Sequence, residues 1–540
     1  MVRSCKPQEL SNTVWAVATA EIDIGVEKDA FDTTFLSEEN RPAARDPIAS
    51  FFGDAAIELI VRPQEFKEQE IKDVLWSFSK MSIRHPELFK RTAEHLAGKD
   101  EEDSLNARGL GEFSPQGLGN MAWAFAKQAQ AAEGVTDRHK SFCKMSLTTG
   151  RLAVKSASCF DIGEDLLHRL FRKIAEADLY FHNGLSDLKP QDISNTAWSF
   201  GVHAICHHEF AEACKKQLQQ RIKLYLSGKE NSMTFFKGQE ISNLLWALAT
   251  LNTPCDGLLD NVGDYLRKIS SDSKGKMSVK SIASVFKRQE LANIAWSCAV
   301  FGEYPSDVMA FLYGGLLGDQ KNPDRLAKIY QDEGLQGQAI MTLLYVQAAM
   351  DLGKSTNGLT LPPGFPDDWG QSSGSSNGEV DSPTFELSLS TSKMQRTVSD
   401  AFRRIGFKHV EEHVISMADL ASEYGVNVPP KAVEVLSIDI ADIDNRIAIE
   451  VDGPAHFFTS IDEEGGSVGY TKLNKDRLEY QFAWTGDRQQ INGPTALKQR
   501  LLHLLGWKVI HIPFWDLMDL QSEEEKEEYC RNLLQQCLKK

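Results

Sequence analysis

Apolar and polar residues recur along this chain in one repeated arrangement, and Gln289 to Val300 displays it most plainly. At about 100° per residue, Leu291, Ile294, Ala295 and Cys298 fall on one face, the ordinary buried side of an amphipathic helix. Gln289, Asn293, Trp296 and Val300 form a second stripe at i, i+4, i+7 and i+11 on roughly the opposite face. A helix with two committed faces is expected to be sandwiched, one side on its own partner helix and the other on a neighbouring repeat. The pattern starts at Gln8, Gln69, Gln116, Gln191, Gln239, Gln289 and Gln338, and its +7 residues are Trp15, Trp76, Trp123, Trp198, Trp246, Trp296 and Tyr345. Its +4 residues are Asn12, Asp73, Asn120, Asn195, Asn243, Asn293 and Thr342. Successive starts lie 61, 47, 75, 48, 50 and 49 residues apart, the period of a stacked repeat array. Further amphipathic segments follow most copies, such as Pro86 to Leu96, Phe210 to Leu226, Leu258 to Ile269 and Asp307 to Leu317, so each unit reads as a helical hairpin.

Two gaps are long. Glu21 to Ser50 is polar and acidic and reads as an insertion loop, whereas Ile162 to Ala177 has helical spacing and reads as a repeat that has lost its signature. The array stops near Leu352, and Gly353 to Ser392 turns to Gly, Ser, Pro and Thr, the composition of a flexible linker. Beyond it, Lys393 to Ile405 predicts an amphipathic helix ended by Gly406, and Glu434 to Ile443 with Arg446 to Val451 predicts two strands about an Asp444-Asn445 turn. Thr495 to Leu505 then reads as a helix, Trp507 to Ile512 as a strand and Glu523 to Leu538 as a terminal helix. The expectation is a mainly α protein: a helical-hairpin solenoid over 1–352, a linker over 353–392 and a small α/β module over 393–540.

Composition narrows the function. The 540 residues are 42% hydrophobic, enough for more than one core, and no stretch approaches the roughly 18 uninterrupted apolar residues of a membrane span. Nine cysteines scattered without a CxxC pair suggest a reducing compartment. A net charge of -17 argues against a simple polycationic nucleic-acid binder, so an anionic ligand would need a local basic track. Such a track is offered two residues before the glutamines by Lys6, Lys67, Lys189, Lys237 and Lys287, with Ser114 and Gln336 breaking the series. Lysine opposes the macrodipole at a helix N-terminus, so local helix physics does not ask for it there. A row of ammonium groups suits a polymer of identical phosphates; the plainer reading is solvated loop lysines. The glutamine, asparagine and tryptophan recur from copy to copy, so they are poor candidates for distinguishing bases and are read as packing between repeats. His203, Cys206, His207, His208 and Cys214 are zinc-ligand types, but only His203 and His207 share a helix face, and the expectation is a helix end with polar histidines. No GxxxxGK[ST] loop is present, so no nucleotide cofactor is expected.

Pro190 to Phe200, Pro7 to Ala16 and Ser114 to Ala126 resemble the octotricopeptide repeat, a helical hairpin of organellar RNA-binding proteins related to the repeats of the FAST-kinase-domain family. Ile447 to Phe457, Asn492 to Lys498 and Gly506 to Trp515 resemble, in that order, a RAP domain. The two resemblances imply an organellar protein of RNA metabolism, acting in mRNA stability, rRNA or other RNA processing, or translation. They also imply single-stranded mitochondrial or chloroplast RNA as partner, beside ribosomal or ribonucleoprotein-granule proteins. Met1 to Lys6 runs straight into the first repeat, leaving no visible transit peptide, so the sequence by itself points to the cytoplasm or a late start.

RAP domains are similar to the restriction-endonuclease-like fold, which raises a nuclease alternative. Asp442 closes one expected strand, and Glu450 and Asp452 share a face of the next. Asp442 and Glu450 would hold Mg²⁺, and Lys498 would supply the cation that Asp452 displaces from the family's Glu-x-Lys pattern. The plainer reading makes Asp452-Gly453-Pro454 a turn whose carboxylate caps local N–H groups, with His456 packed beneath it or facing RNA. A third reading, a protein-interaction scaffold, is what the acidic balance would favour.

Overall fold

In the computed structural model the described residues are 5–20, 47–99, 109–132, 162–229, 235–270, 285–317, 336–355, 361, 393–428, 434–461, 470–472, 480–482, 490–518 and 520–539. Most of the insertion expected before residue 50 and most of the linker expected at 353–392 lie outside them. Two compact units form. The first takes the described residues through Thr253 together with Thr459 to Ile461, and the second takes the rest.

Five signature helices build the first unit: α1 (Pro7–Thr19), α3 (Glu68–Lys80), α5 (Pro115–Ala132), α7 (Pro190–His203) and α9 (Gly238–Thr250), each packed against the next. Their partners α2 (Pro47–Val61), α4 (Pro86–Ala97), α6 (Glu164–Phe181) and α8 (His208–Leu226) form a second layer, packed in the same succession. Helix α6 is therefore no lost repeat. It is the second helix of the third hairpin, separated from α5 by an insertion whose residues 133–161 lie outside the description. The buried stripe, for example Ile71, Val74, Leu75 and Phe78 of α3, faces inward as its spacing asks. Small residues let neighbouring signature helices approach: a Cβ on Gly119 would sit 3.2 Å from the Asp192 carbonyl oxygen, and one on Gly201 only 2.9 Å from the Trp246 ring. After three of the tryptophans comes a fully buried serine, and Ser77, Ser199 and Ser297 each donate to the carbonyl four residues back at 2.6, 2.7 and 2.8 Å.

The second unit joins the end of the array to the α/β module. Among helices α10 (Leu258–Ser270), α11 (Arg288–Phe301), α12 (Ser306–Leu317) and α13 (Gln336–Leu352), α10 packs on α12, and α11 packs on both α12 and α13. The module follows as α14 (Lys393–Arg404), β1 (Val410–Ser416), α15 (Met417–Ser422), β2 (Glu434–Asp442), β3 (Ile447–Asp452), α16 (Gly493–Leu504), β4 (Lys508–Pro513), α17 (Phe514–Met518) and α18 (Glu523–Lys539). Its sheet runs β1-β2-β3-β4, antiparallel except for the β3/β4 pair, whose connection carries α16. Ile447, Ile449, Val451, Ile510 and Ile512 fill one face with α14 and α18. Strand alternation leaves Ala448, Glu450 and Asp452 to the other, which α16 covers.

The border between the two units falls at Thr253, and within the second unit the last repeats pack on the module. Helices α11 and α13 both meet α16. Arg500 of α16 donates to the carbonyls of Ala299 and Val300 at the C-terminus of α11, where Gly302 (φ 74°) ends the helix and leaves room for the guanidinium. Tyr345, the last copy's aromatic, donates to the Val435 carbonyl of β2 at 2.8 Å. Among the described residues no helix is long and apolar enough to cross a membrane.

Candidate functional site

The basic track and the +7 stripe come first. Lys6, Lys67, Lys189, Lys237 and Lys287 are each the N-cap of a signature helix, in extended conformation, and all five are exposed. An ammonium has no lone pair with which to cap a helix. The position is held instead by the acid three residues on, whose carboxylate accepts the lysine's own backbone N–H: Glu9 at 2.9 Å, Glu70 at 2.7 Å, Glu240 at 2.7 Å and Glu290 at 2.9 Å. Asp192 takes the Lys189 N–H in the same way. Burial raises the pKa of Asp192 and Glu290. The lysine side chain is thereby free of any capping duty and points its charge to solvent.

Neighbouring signature helices of the first unit are in register, because equivalent residues meet. The rings of Trp76 and Trp123 lie 6.5 Å apart at 34°, and Lys127 places its Nζ 5.8 Å from the Trp123 ring centre and 5.1 Å from that of Trp198. The lysine N-caps of that unit therefore line one edge. The glutamines do not pack between repeats as expected: Gln8, Gln69, Gln116, Gln191, Gln239 and Gln289 are all exposed. The indoles of the same stripe differ from copy to copy: Trp15 is 45% exposed, whereas Trp246 and Trp296 are 6% and 3% exposed.

The histidine and cysteine cluster of the fourth repeat is packing. His207 caps α8, accepting from the Phe210 N–H, and His203 stands edge-on to Phe171, where burial pushes its pKa down to about 3. The two-residue strand Ile205–Cys206 pairs in parallel with Thr459–Ser460 of the same unit, and Arg172 donates to the Ile461 carbonyl at 3.0 Å. Among the described residues no group of three or more His, Cys, Asp or Glu is placed to hold a metal.

The charged face of the module gathers Glu450, Asp452, Lys498 and His456 of the sequence-derived set, and adds Asp439 and His511. Lys498 of α16 donates to Glu450 Oε2; the two side chains are 3% and 2% exposed, and Glu450 Oε1 has no partner. Burial raises the Glu450 pKa well above the usual carboxylate value, with the Lys498 ammonium opposing it. Asp452 lies beside two imidazoles, 3.1 Å from His456 Nδ1 and 2.5 Å from His511 Nδ1. Burial works to raise its pKa, but the His511 hydrogen bond and the charges of His456, His511 and Lys498 outweigh it and leave the group below its ordinary value. Its carboxylate thus engages side chains, not the backbone N–H groups of a following turn; Pro454–His456 is a short 3₁₀ turn.

Asp442 does not join them. Ile440 pairs with Ile449, so strand parity puts Asp439 beside Glu450 and turns Asp442 to the opposite face, where it accepts from the Asn445 backbone at 3.1 Å and side chain at 2.7 Å and so fixes the turn. Asp439 accepts from the Val451 N–H at 2.8 Å. A Mg²⁺ site at Asp442 and Glu450 does not fit: the two carboxylates diverge, and Glu450 is engaged by a lysine of its own chain. Asp439 was findable as the one acid inside the Val435 to Ala441 apolar run, and His511 as the polar break in Val509 to Ile512.

Comparison with known proteins places this face. Over 455 residues, 79% of the chain, the sequence is 22% identical to a RAP domain-containing protein, chloroplastic, of Oryza sativa subsp. japonica; the chain covers 53% of that relative and so spans about half its length. Residues 449–533 match the family described as RAP domain, a range running from the middle of β3 into α18 and holding Glu450, Asp452, His456, Lys498 and His511. The chain carries a RAP domain at its C-terminal end.

Proposed function

We infer that the protein binds single-stranded organellar RNA along its helical array and acts in post-transcriptional RNA metabolism: processing, stability or translation. The observation that carries this reading is the row of exposed lysine N-caps on in-register helices, each freed from capping by the acid at the third helical position. Identical cations recurring at one helical position suit a ligand whose charges are all alike, which is a nucleic-acid backbone. The RAP domain and the chloroplastic relative support the organellar setting, and of the two organelles the relative's name favours the chloroplast. The RAP domain acts here as a docked module whose buried charges hold it together. Crosslinking the protein to RNA in the native organelle and sequencing the recovered fragments tests the reading. Enrichment of discrete organellar transcripts is the expected result, and recovery of proteins with no RNA above background would replace it with the scaffold reading.

The nuclease alternative is disfavoured by the neutralisation of its own residues. Glu450 and Lys498 satisfy each other, and Asp452 lies against two histidines.

A further inference from the structure

Resting on the RNA-binding reading of the array, we propose that the indoles of the first four repeats form a stacking surface for the bases of single-stranded RNA, and that this surface ends before the fifth. A tryptophan repeated at one helical position needs no function when it is buried, since packing alone accounts for it. Here burial accounts for only part of the series. Trp15 is 45% exposed and Trp76, Trp123 and Trp198 are partly exposed, whereas Trp246 packs on Gly201 and Trp296 is enclosed. The residue four places after each indole lies on the same helical stripe: exposed Thr19, then Lys80 and Lys127, follow the first three indoles, and buried Val202, Thr250 and Val300 follow the last three.

Open indoles flanked by lysines, in register on neighbouring helices, are the parts of a sequence-tolerant single-strand platform. Each base has a π-face for a ring, and each phosphate a charge for an ammonium. Lys127, over both Trp123 and Trp198, bridges two such rings. The exposed glutamines, two helical turns before the indoles, supply amide donors and acceptors along the same stripe. A ligand meeting four equivalent rings must itself repeat flat apolar groups on an anionic chain. That description fits RNA and does not fit a folded protein surface.

The test uses the full chain and a uridine homopolymer, read by affinity, by the slope of log K against log salt, and by quenching of tryptophan fluorescence. Trp76→Leu, Trp123→Leu and Trp198→Leu should each weaken binding by roughly five- to a hundredfold, the range for losing one stacked base, and leave the salt slope unchanged because no charge is lost. Phe in place of each tryptophan keeps a ring and should restore most of the affinity, which serves as the readout wherever a Leu variant fails to fold. Trp296→Phe, in an enclosed copy, should bind as the parent does. RNA binding by the parent with no quenching, and with the three Leu variants unaffected, overturns the stacking surface and leaves the RNA-binding reading standing. No RNA binding by the parent at low salt overturns both. Quenching by a proline-rich peptide, and not by RNA, overturns the proposal in favour of a protein partner.

Discussion

Lys498→Met is the sharpest probe of how the RAP domain is held together. Methionine keeps the aliphatic stem where α16 crosses the sheet and removes only the ammonium. That leaves Glu450 at 2% exposure with Oε2 deprived of its donor, while Oε1 already has none. Removing one partner of a buried pair costs about 3–5 kcal/mol, because the survivor is an uncompensated buried charge, whereas replacing both is close to neutral. Glu450→Gln together with Lys498→Met should therefore recover most of what the single change loses. The pH dependence has a definite sign. In the single variant the folded-state pKa of Glu450 lies above its unfolded value, so the folded chain binds that proton more tightly, and the defect should shrink as pH falls toward 4.5 and grow above it. Hydrogen exchange of the β3 amides in urea reports this sheet separately from the other unit. Equal losses in the single and double variants, or a single-variant cost below about 1 kcal/mol, would refute the buried-pair argument.

Three further outcomes follow from particular contacts. Asp178 is fully buried with neither carboxylate oxygen partnered, and burial, then Asp192, raises its pKa well above 3.8; the unfolded chain ionises first, so stability should fall by up to about 1.4 kcal/mol per pH unit above that value, and Asp178→Asn should flatten that loss in a thermal-unfolding series. Arg500→Ala strips the donors from Ala299 and Val300 and should cost about 1.5–3 kcal/mol, read as faster exchange in the last turn of α11, with Arg500→Lys restoring only part because it lacks the planar fork. Gly201→Ala brings a Cβ to 2.9 Å from the Trp246 ring and 3.2 Å from the Ala247 backbone, and should lower stability by about 1–3 kcal/mol in denaturant; an unchanged midpoint would mean that α7 and α9 are not in this close contact.

The helices were legible because their periods were long and strong. Signature copies, the partner helices α4, α8, α10 and α12 and the α14, α16 and α18 segments of the module follow the spacing of apolar residues to within a residue or two, whereas α2, which begins inside the expected loop, was not anticipated. Helix α6 was visible as a helix, yet its place was not, since the insertion before it disguised a partner helix as a repeat. β1 escaped because Val410 to Ser416 mixes Glu411, Glu412 and His413 with its apolar residues at a sheet edge. Glu450, Asp452 and Lys498 were legible as a group, while Asp439, and not the expected Asp442, lies beside Glu450 because parity across a hairpin depends on the register of its turn, which one sequence does not supply. Exposure of the indoles was wholly hidden: the seven copies read alike, and only the packing of neighbours separates Trp15 from Trp296.

The central claim, that a lysine edge on the array holds an RNA backbone, is tested most directly by the salt dependence of RNA binding to the full chain carrying Lys67→Gln, Lys189→Gln and Lys237→Gln together. Three phosphate contacts on a single strand account for a slope of about 2 in log K against log salt, so the account predicts weaker binding and a slope flattened by about that amount. An affinity and slope equal to the parent's would contradict it.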